Sequence, residues 1–312
     1  MPDGIETRIG RGCGHGVKIG KLTIIGLGLM GGSLAKALKA ASAVDQVWAT
    51  GRRSASLEKG LELGVIDHWS LDLAEAVKGA DVVLVATPTL IAEQILADLQ
   101  PLLDDHMVVT DVASVKGNIQ QAAERVFGQV PPRMVLGHPI AGSEQSGVEA
   151  ARAELFKDHR VILTPLPQND PAAVQLVRDM WQCAGAEVVD MPVAEHDAVL
   201  AATSHLPHVL AYTLVDALAA NGSAKDIFRF AAGGFRDFTR IASSDPTMWH
   251  DIVLANQDAI LSGLDDFSTH LEYVRKCIAD GDGAAIKQVF ERAKSARDEH
   301  FLGQYLATRK PD

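Results

Sequence analysis

The chain has 312 residues, of which 47% are hydrophobic and 22% are charged, and its formal net charge is −11. This length accommodates two domains of ordinary size, and the composition is typical of a globular protein rather than a disordered one. The negative charge and the lack of a run of lysines and arginines argue against nucleic acid as a partner, because a phosphodiester backbone would be repelled.

The sequence predicts neither a membrane span nor a secretion signal. Its longest apolar stretches are strand-length or interrupted by charge, and residues 1–20 are rich in glycine and charge, which predicts a flexible leader. The three cysteines, at positions 13, 183 and 277, are odd in number and far apart. That usage is typical of a reducing compartment and not of a disulfide framework or a zinc site. We therefore expect a cytoplasmic protein without a bound metal.

Between residues 21 and 190, continuous apolar runs alternate with helical stretches. Strands are predicted at 22–25, 46–50, 81–86 and 107–110, with helices at 33–41 and 91–99. Continuous strands separated by helices predict a parallel sheet covered on both faces. Two later strands, at 160–163 and 187–189, are expected to extend this sheet around a helix at 171–183.

After residue 191 the strand pattern stops and the remainder is predicted to be helical. Breaks are expected at Pro207, Asn221-Gly222, Gly233-Gly234, Pro246 and Gly281, and Ser244-Asp245-Pro246 has the pattern of a helix start. The helix that follows carries apolar residues at alternating spacings of 4 and 3, namely Ile260, Leu264, Phe267, Leu271, Val274 and Ile278. Such a seam favours a helical dimer interface, and burial within the same chain is the alternative.

A glycine-rich turn follows the first predicted strand and opens the first helix. Its sequence, Gly26-Leu27-Gly28-Leu29-Met30-Gly31, has the G-x-G-x-x-G spacing of a dinucleotide site. The first glycine would permit the tight turn, the second the approach of a pyrophosphate, and the third close packing of helix on strand. Free N–H groups at the helix start would bind the phosphates. The candidate cofactor-binding residues are Gly26, Gly28, Leu29, Met30, Gly31, Arg52, Arg53, Thr87 and Ser114.

The choice of cofactor is predicted from the end of the second strand. A site selective for NAD usually has an acidic residue about twenty positions after the glycines. That place is taken by Gly51, and Arg52 and Arg53 follow it. No carboxylate would repel a 2′-phosphate there, and two guanidinium groups would bind one. We expect NADP as the preferred cofactor with NAD possible, and solvated arginines are the alternative interpretation.

Four further segments carry polar residues where a site could form. Residues 110–116 follow a strand, which brings Ser114 and Lys116 to the carboxyl edge of the sheet. His138 lies in a predicted loop rich in glycine and proline. His205 and His208 flank a predicted helix break, but no cysteine or acidic cluster completes a metal site with them.

The fourth segment, residues 233–240, supplies two arginines to a predicted loop. Arg236 and Arg240 could bind an anionic substrate, or they could pair with Asp237 and Asp245. These residues alone do not decide between the two.

Together the segments resemble the prephenate/arogenate dehydrogenase family of tyrosine biosynthesis. The resemblance runs from about Leu22 to beyond Trp249, through the motifs G-L-M-G-G-S, D-V-A-S-V-K-G, H-P-I-A-G-S-E, S-H-L-P-H, G-G-F-R-D-F-T-R-I-A and D-P-T-M-W. It implies an α/β Rossmann-type doubly wound parallel sheet followed by an all-α dimerisation domain. We expect a leader at 1–20, a dinucleotide-binding domain at 21–190, and a helical substrate and dimerisation domain at 191–312.

The resemblance also implies the reaction and the residues that perform it. A cyclohexadienol, prephenate or arogenate, would lose a hydride from C4 to the nicotinamide and CO2 from C1. His138 would accept the C4 hydroxyl proton with an ordinary pKa near 6.5, and Ser114 would hydrogen-bond the same hydroxyl and position His138. Arg240 would bind a substrate carboxylate, with Ser204, His208 and Trp249 as further substrate contacts, the last near the partner subunit's site of a homodimer. An ionic gate would comprise Glu144, Arg236 and Asp237.

Two alternatives belong to other functional classes. A 3-hydroxyacid dehydrogenase of related build would be expected to use a catalytic lysine on a helix of the second domain. A non-catalytic dinucleotide sensor would give no reason for keeping His138, Ser114 and Arg240 together. Prephenate and arogenate differ only in a keto or amino group on the side chain, and His208 at that end favours prephenate or dual use.

Overall fold

A six-stranded parallel sheet forms the core of the N-terminal part of the chain. The structure is a computed structural model and describes residues 18–143, 145–222 and 224–302. The strands of this sheet are β1 (Ile19–Ile25), β2 (Val44–Thr50), β3 (His68–Trp69), β4 (Val82–Val85), β5 (Val108–Asp111) and β6 (Met134–Val135). Their order is β3-β2-β1-β4-β5-β6, and each neighbouring pair is parallel. The order reverses between β1 and β4, where doubly wound sheets bind dinucleotides.

Helices cover both faces of this sheet, as the continuous apolar strands predict. They are α1 (Leu29–Ala40), α2 (Ser54–Glu62), α3 (Leu73–Val77), α4 (Ala92–Leu99), α5 (Lys116–Phe127) and α6 (Pro171–Cys183). Side chains alternate between two buried clusters, so that Ile24 packs with α1, α2 and α6 while Ile25 packs with α3, α4 and α5. The predicted fold class is thereby confirmed. Cys183 at the end of α6 is disulfide-bonded, contrary to what the cysteine spacing indicated.

The last two residues of the predicted leader belong to the main sheet. β1 begins at Ile19, so residues 19 and 20 are strand rather than leader. Residues 1–17, which make up the rest of the predicted leader, lie outside the described part of the chain.

The two later strands do not extend the main sheet, and that prediction is wrong. β7 (Gly137–Pro139), β8 (Arg160–Leu163) and β9 (Glu187–Asp190) form a separate three-stranded sheet. The chain leaves the main sheet after β6, and β7 then pairs antiparallel with β8, which pairs parallel with β9. Because β8 finds its partner in β7, the main sheet ends at β6. This places His138 in a strand and not in the predicted loop.

One helical run covers residues 193–219 without the break predicted at Pro207. It consists of α7 (Val193–Leu200), a π-helical segment (Ala201–His205) and α8 (Leu206–Ala219). Proline lacks an N–H, but here it falls in the first turn of α8, directly after the wider π turn, where the missing donor is tolerated. By length and mean hydropathy this run is also the one candidate membrane span among the described residues, a criterion that core helices of soluble proteins meet as well.

The remaining helices follow several of the predicted breaks. They are α9 (Ala224–Arg229), α10 (Gly233–Thr239), α11 (Pro246–Ala255), α12 (Gln257–Ala279) and α13 (Gly283–Ala296). Asp245 caps α11 as expected, and Gly281 adopts φ +68° between α12 and α13. The helix predicted to continue from Pro246 is interrupted at Asn256. Residues 233–240, predicted as a loop, are α10 and the start of a 3₁₀ turn.

The described chain divides into two compact units at the Ala259–Ile260 junction. The predicted boundary near residue 190 stays a prediction. In the second unit, three residues of the predicted apolar seam are exposed: Phe267 by 39%, Leu271 by 56% and Ile278 by 63%. The single chain therefore leaves much of this seam uncovered.

Candidate functional site

The glycine turn between β1 and α1 has the geometry that its spacing predicts. Gly26 adopts φ +93°, and a Cβ atom there would lie 2.6 Å from the carbonyl oxygen of Ala86. A Cβ on Gly31 would lie 2.6 Å from Cγ2 of Ile24, so only glycine allows α1 to approach β1 this closely. Around Gly28, by contrast, no atom lies within 4 Å of the added Cβ. The turn is tight at its ends and open in the middle.

The open middle of the turn fits a dinucleotide phosphate. Gly28 is the N-cap of α1 and supplies no side-chain cap, and the first turn, which contains Leu29 and Met30, has no acidic residue. Its N–H groups and the positive end of the helix dipole are therefore available to an anion. At the end of the neighbouring strand β4, the buried Oγ1 of Thr87 has no hydrogen-bond partner among the described residues. These features suit the pyrophosphate and adjoining groups of a nicotinamide dinucleotide.

The end of β2 presents two cations and no carboxylate. Arg52 and Arg53 are both exposed, and Arg53 is the N-cap of α2, whose first turn lacks an acidic residue. The nearest atom to a Cβ added at Gly51 is Cδ2 of Leu57, at 4.0 Å. A side chain at position 51 would therefore fit, which makes this position suitable for testing the cofactor.

His138 is held in β7 and is only 8% exposed. Its Nδ1 lies 2.9 Å from Nε2 of His196 on α7. Burial, followed by the nearby charge of Lys116 and the rings of His196 and His205, lowers the pKa of His138 well below 6.5. The expectation of an ordinary pKa is therefore wrong. The ring is therefore neutral at neutral pH.

His196 and Asp197, which the sequence analysis did not select, are linked to His138 in succession through short side-chain contacts. His196 is fully buried, and its Nδ1 lies 2.8 Å from Oδ1 of Asp197. The Asp197 carboxylate also accepts the backbone N–H groups of Lys116 at 2.8 Å and Gly117 at 2.7 Å, at the start of α5. Burial raises the pKa of Asp197, but the hydrogen bonds from His196 and these amides outweigh it and lower that pKa. Asp197 is thus an anion at neutral pH.

A buried ion pair joins the ends of β5 and β7. The Lys116 Nζ donates to Oδ1 of Asp111 and, at 2.6 Å, to the carbonyl oxygen of Gly137. The two side chains are 0% and 3% exposed. Asp111 also accepts the N–H of Gly137 at 3.3 Å. Lys116 and Asp111 thereby bind the carbonyl oxygen and the N–H of Gly137, the residue that precedes His138.

Ser114 lies in the turn between β5 and α5 and is partly buried. The described structure contains no hydrogen bond between Ser114 and the ring of His138, whose partner is His196 instead. The role of Ser114 towards a substrate hydroxyl stays a prediction.

The π-helical segment brings a second histidine pair to Trp249. The ring of His208 stacks on Trp249 with centroids 3.5 Å apart and planes at 18°, and His205 meets the same indole edge-on at 6.1 Å. Trp249 is 8% exposed and packs on its own chain, and its expected place near the partner subunit's site stays a prediction. His208 Nδ1 lies 2.8 Å from the carbonyl oxygen of Ser204, so this nitrogen carries the hydrogen. Burial lowers the pKa of His208, as does Arg240 nearby.

His205 is anchored on its other side. Its Nδ1 accepts a hydrogen bond of 3.1 Å from Nδ2 of Asn256, which also donates to the carbonyl oxygen of Asp197 at 2.8 Å. Burial lowers the pKa of His205 to about 4. The interruption of the helix at Asn256 therefore connects α11 to the segment that carries the histidines.

The predicted gate and carboxylate anchor lie on and after α10. Arg236 and Asp237 are exposed on that helix, and Arg240 is exposed at the start of the following 3₁₀ turn. Glu144, the third gate residue, lies outside the described residues. Within the described ranges, no group of three or more His, Cys, Asp or Glu side chains has the arrangement of a metal site.

Comparison with known families matches most of the chain. A family model described as the prephenate dehydrogenase nucleotide-binding domain covers residues 34–190, and one described as the prephenate dehydrogenase dimerization domain covers residues 192–292.

Individual proteins agree with these matches. A cyclohexadienyl dehydrogenase of Zymomonas mobilis is 36% identical over 88% of this chain and 94% of that protein. A prephenate dehydrogenase of Bacillus subtilis is 37% identical over 89% and 75%. The crystal structure of A. aeolicus prephenate dehydrogenase in complex with hydroxyphenyl propionate and NAD+ has a TM-score of 0.84 and 33% identity, over 91% of this chain and 99% of that one. A Synechocystis arogenate dehydrogenase has a TM-score of 0.76 and 28% identity, over 90% and 99%.

Proposed function

Because the chain belongs to the prephenate dehydrogenase family, we propose that it catalyses the oxidative decarboxylation of prephenate with NADP, using His138 as the base. The family resemblance of the motifs is thereby confirmed, and the enzyme class follows from it. The finer assignments of substrate, cofactor and residue roles rest on the geometry of the site.

The observation that carries the proposed chemistry is the state of the His138 ring. The ring is neutral, and its Nδ1 is engaged by His196. Its Nε2 is therefore the nitrogen left for a substrate. A C4 hydroxyl that donates to Nε2 would give up its proton there as hydride leaves C4. Loss of CO2 from C1 then makes the ring aromatic, and the proton on His138 can return to the phenol oxygen.

The chain contributes position and charge to this reaction. The bound nicotinamide would supply the hydride acceptor, held by the glycine turn of residues 26–31 and the end of β4 at Thr87. The carboxyl ends of β1, β4, β5 and β6 lie at one edge of the sheet, so the turn, Ser114 and β7 with His138 follow strands that end together. Arg240 would bind a substrate carboxylate through its planar guanidinium group. Arg240 is exposed in the described chain.

Arogenate is the second candidate substrate, and one observation favours it. Since Nδ1 of His208 donates to Ser204, the Nε2 of the neutral ring is an acceptor. An acceptor suits the ammonium group of arogenate, whereas the keto oxygen of prephenate offers no hydrogen. The relatives include proteins named for either substrate. We retain prephenate or dual use as the proposal and treat the substrate comparison as its test.

The proposed preference for NADP rests on the end of β2. Each charge-assisted hydrogen bond from Arg52 or Arg53 to a 2′-phosphate would contribute about 1.5–3 kcal/mol, so the preference would be tenfold or more. The A. aeolicus relative was crystallised with NAD+, which makes the comparison of the two cofactors informative. Gly51→Asp, for which there is room, is expected to reverse the preference by repelling the phosphate and accepting the free 2′-hydroxyl. Equal or better use of NAD by the wild type would overturn the assignment.

We further propose a cytoplasmic homodimer without nucleic-acid or membrane partners. The matched dimerization model and the uncovered apolar residues of α12 support the dimer. The biosynthetic role of the family supports the location.

The direct experiment measures reduced nicotinamide at 340 nm with four combinations of substrate and cofactor. Prephenate with NADP is expected to give the highest kcat/KM. A higher value with arogenate would assign the amino substrate instead. A lack of turnover in all four combinations would refute the proposed function.

A further inference from the structure

The hydrogen bonds behind His138 fix which of its nitrogens carries the proton. The Asp197 carboxylate can only accept, and it already receives the N–H groups of Lys116 and Gly117. His196 Nδ1, at 2.8 Å from that carboxylate, must therefore be a donor. A histidine ring that carries one hydrogen, here on Nδ1, accepts at its other nitrogen, so Nε2 of His196 is assigned as the acceptor.

The same reasoning extends to His138 itself. Its Nδ1 lies 2.9 Å from the accepting Nε2 of His196 and must carry the hydrogen. The hydrogen bonds therefore run in one direction, from His138 through His196 to Asp197. The remaining nitrogen of His138, Nε2, holds a lone pair, which is the state that a general base requires.

We propose that His196 and Asp197 are positioning residues for the reaction, which hold His138 in the tautomer with a bare Nε2 and stabilise the imidazolium that forms when it accepts the substrate proton. This inference rests on the proposed role of His138. As the middle member of this chain, His196 passes the effect of the Asp197 carboxylate to His138 without placing the carboxylate itself beside the substrate.

The charges around His138 explain why such support is needed. Burial and the cation of Lys116 both oppose protonation of His138. The Lys116 cation is itself paired with Asp111, while His205 is neutral near pH 7 because its pKa is about 4. Asp197 is thus the anion to which His138 is linked through hydrogen bonds. Its own position is fixed by the two amides at the start of α5, which makes the arrangement rigid.

Three substitutions separate the orientation of His138 from simple packing. His196→Leu removes both hydrogen bonds and should lower kcat by roughly 10²–10³ with KM for prephenate changed less than about threefold, because the substrate contacts remain. His196→Gln can still accept from His138 and donate to Asp197, and it should recover at least about tenfold over the leucine variant. Asp197→Asn replaces the acceptor-only carboxylate by an amide that can also donate to His196. It should therefore lower kcat by about as much as His196→Leu.

The chain offers a matched control on α11. His250 and Asp251 are also neighbours in sequence, with Nδ1 and Oδ1 3.0 Å apart, but the His250 side chain is 63% exposed. His250→Leu should leave kcat within about twofold of the wild type. A loss as large as that of His196→Leu would show that removing such a pair perturbs the fold in general.

A spectroscopic measurement on the wild type tests the tautomer of His138 directly. In protein labelled with ¹⁵N-histidine at neutral pH, His138, assigned by the loss of its signal in His138→Asn, should show a protonated Nδ1 and an unprotonated Nε2. A protonated Nε2 with a bare Nδ1 would overturn the proposal.

The outcomes distinguish this inference from the proposed function. If the wild type turns over neither prephenate nor arogenate, the proposed function fails whatever the tautomer. If the wild type is active and both His196→Leu and Asp197→Asn keep more than half of its kcat, the positioning role fails while the function stands.

Discussion

Replacing Lys116 with methionine is expected to lower the free energy of unfolding by about 3–5 kcal/mol, the cost of leaving a buried charge without its partner. Lys116 is 0% exposed and its partner Asp111 is 3% exposed, so water cannot take over the lost contact. The substitution also leaves the buried carbonyl oxygen of Gly137 without the hydrogen bond that it accepts from Lys116, which adds to the free-energy cost. Methionine has nearly the same length and volume, so a cavity contributes little.

The assay is urea unfolding followed by circular dichroism on three variants: Lys116→Met, Asp111→Asn and the double variant. The double variant contains no buried charge without a partner. Its loss in free energy of unfolding should therefore be smaller than the sum of the two single losses, by about 2 kcal/mol or more. Additive losses would refute the reasoning, as would a loss below about 1 kcal/mol for Lys116→Met. Either result would mean that the pair is solvated or neutral in the folded protein.

Three further predictions concern the substrate, the assembly and acid stability. Arg240→Ala should raise KM for prephenate by roughly thirtyfold, about 2 kcal/mol, with partial rescue by Arg240→Lys, because lysine cannot form the paired contact; an unchanged KM would exclude Arg240 as the anchor. Sedimentation at micromolar concentration should give twice the chain mass, and Leu271→Glu, at a position 56% exposed in the single chain, should give monomers; a fully active wild-type monomer would contradict this. Since burial lowers the pKa of His205 to about 4, the unfolded state, with a histidine pKa near 6.5, binds the proton more tightly. The free energy of unfolding should therefore fall as the pH drops from about 6.5 to about 4, by up to about 3 kcal/mol from this group. His205→Gln should remove that part of the pH dependence in urea unfolding at pH 7 and pH 4.5, and an equally steep dependence in the variant would assign it to other groups.

The sequence predicted correctly those elements whose structure depends on residues close to one another in the chain. The glycine turn was predictable because strain at Gly26 and close packing at Gly31 each require glycine, and the spacing records both. The strands of the main sheet were predictable because both of their faces are buried. The helix at 171–183 was predicted with its observed bounds, since Asp170 and Pro171 mark its start.

The pairing of the later strands could not be predicted from the sequence, because it depends on which distant segment lies beside each strand. The apolar run 160–163 is a strand as predicted, but its partner is β7, which is too short to show a pattern of its own. The helix around Pro207 was missed for a related reason. A proline is normally a sign of a break, and the π turn that accommodates it has no sequence signature.

The site was predicted only in part, because its central contact joins distant residues. His138 was selected from its motif, but His196 is 58 positions away and lies in a separate short helix, α7. The adjacent pair His196-Asp197 was the one available signal, and the equally adjacent His250-Asp251 shows how weak that signal is. Only the packing of α7 against α5 and β7 brings His138, His196 and the Asp197 carboxylate into line.

The central claim, that His138 is the base of a prephenate dehydrogenase, is tested most directly by the turnover of His138→Asn. Initial rates of nicotinamide reduction with saturating prephenate should fall by roughly 10²–10⁴ relative to the wild type, because the proton acceptor is lost. Binding of NADP, followed by fluorescence titration, should change by less than about threefold, because the glycine turn is untouched. A variant that keeps more than half of the wild-type kcat would contradict the account.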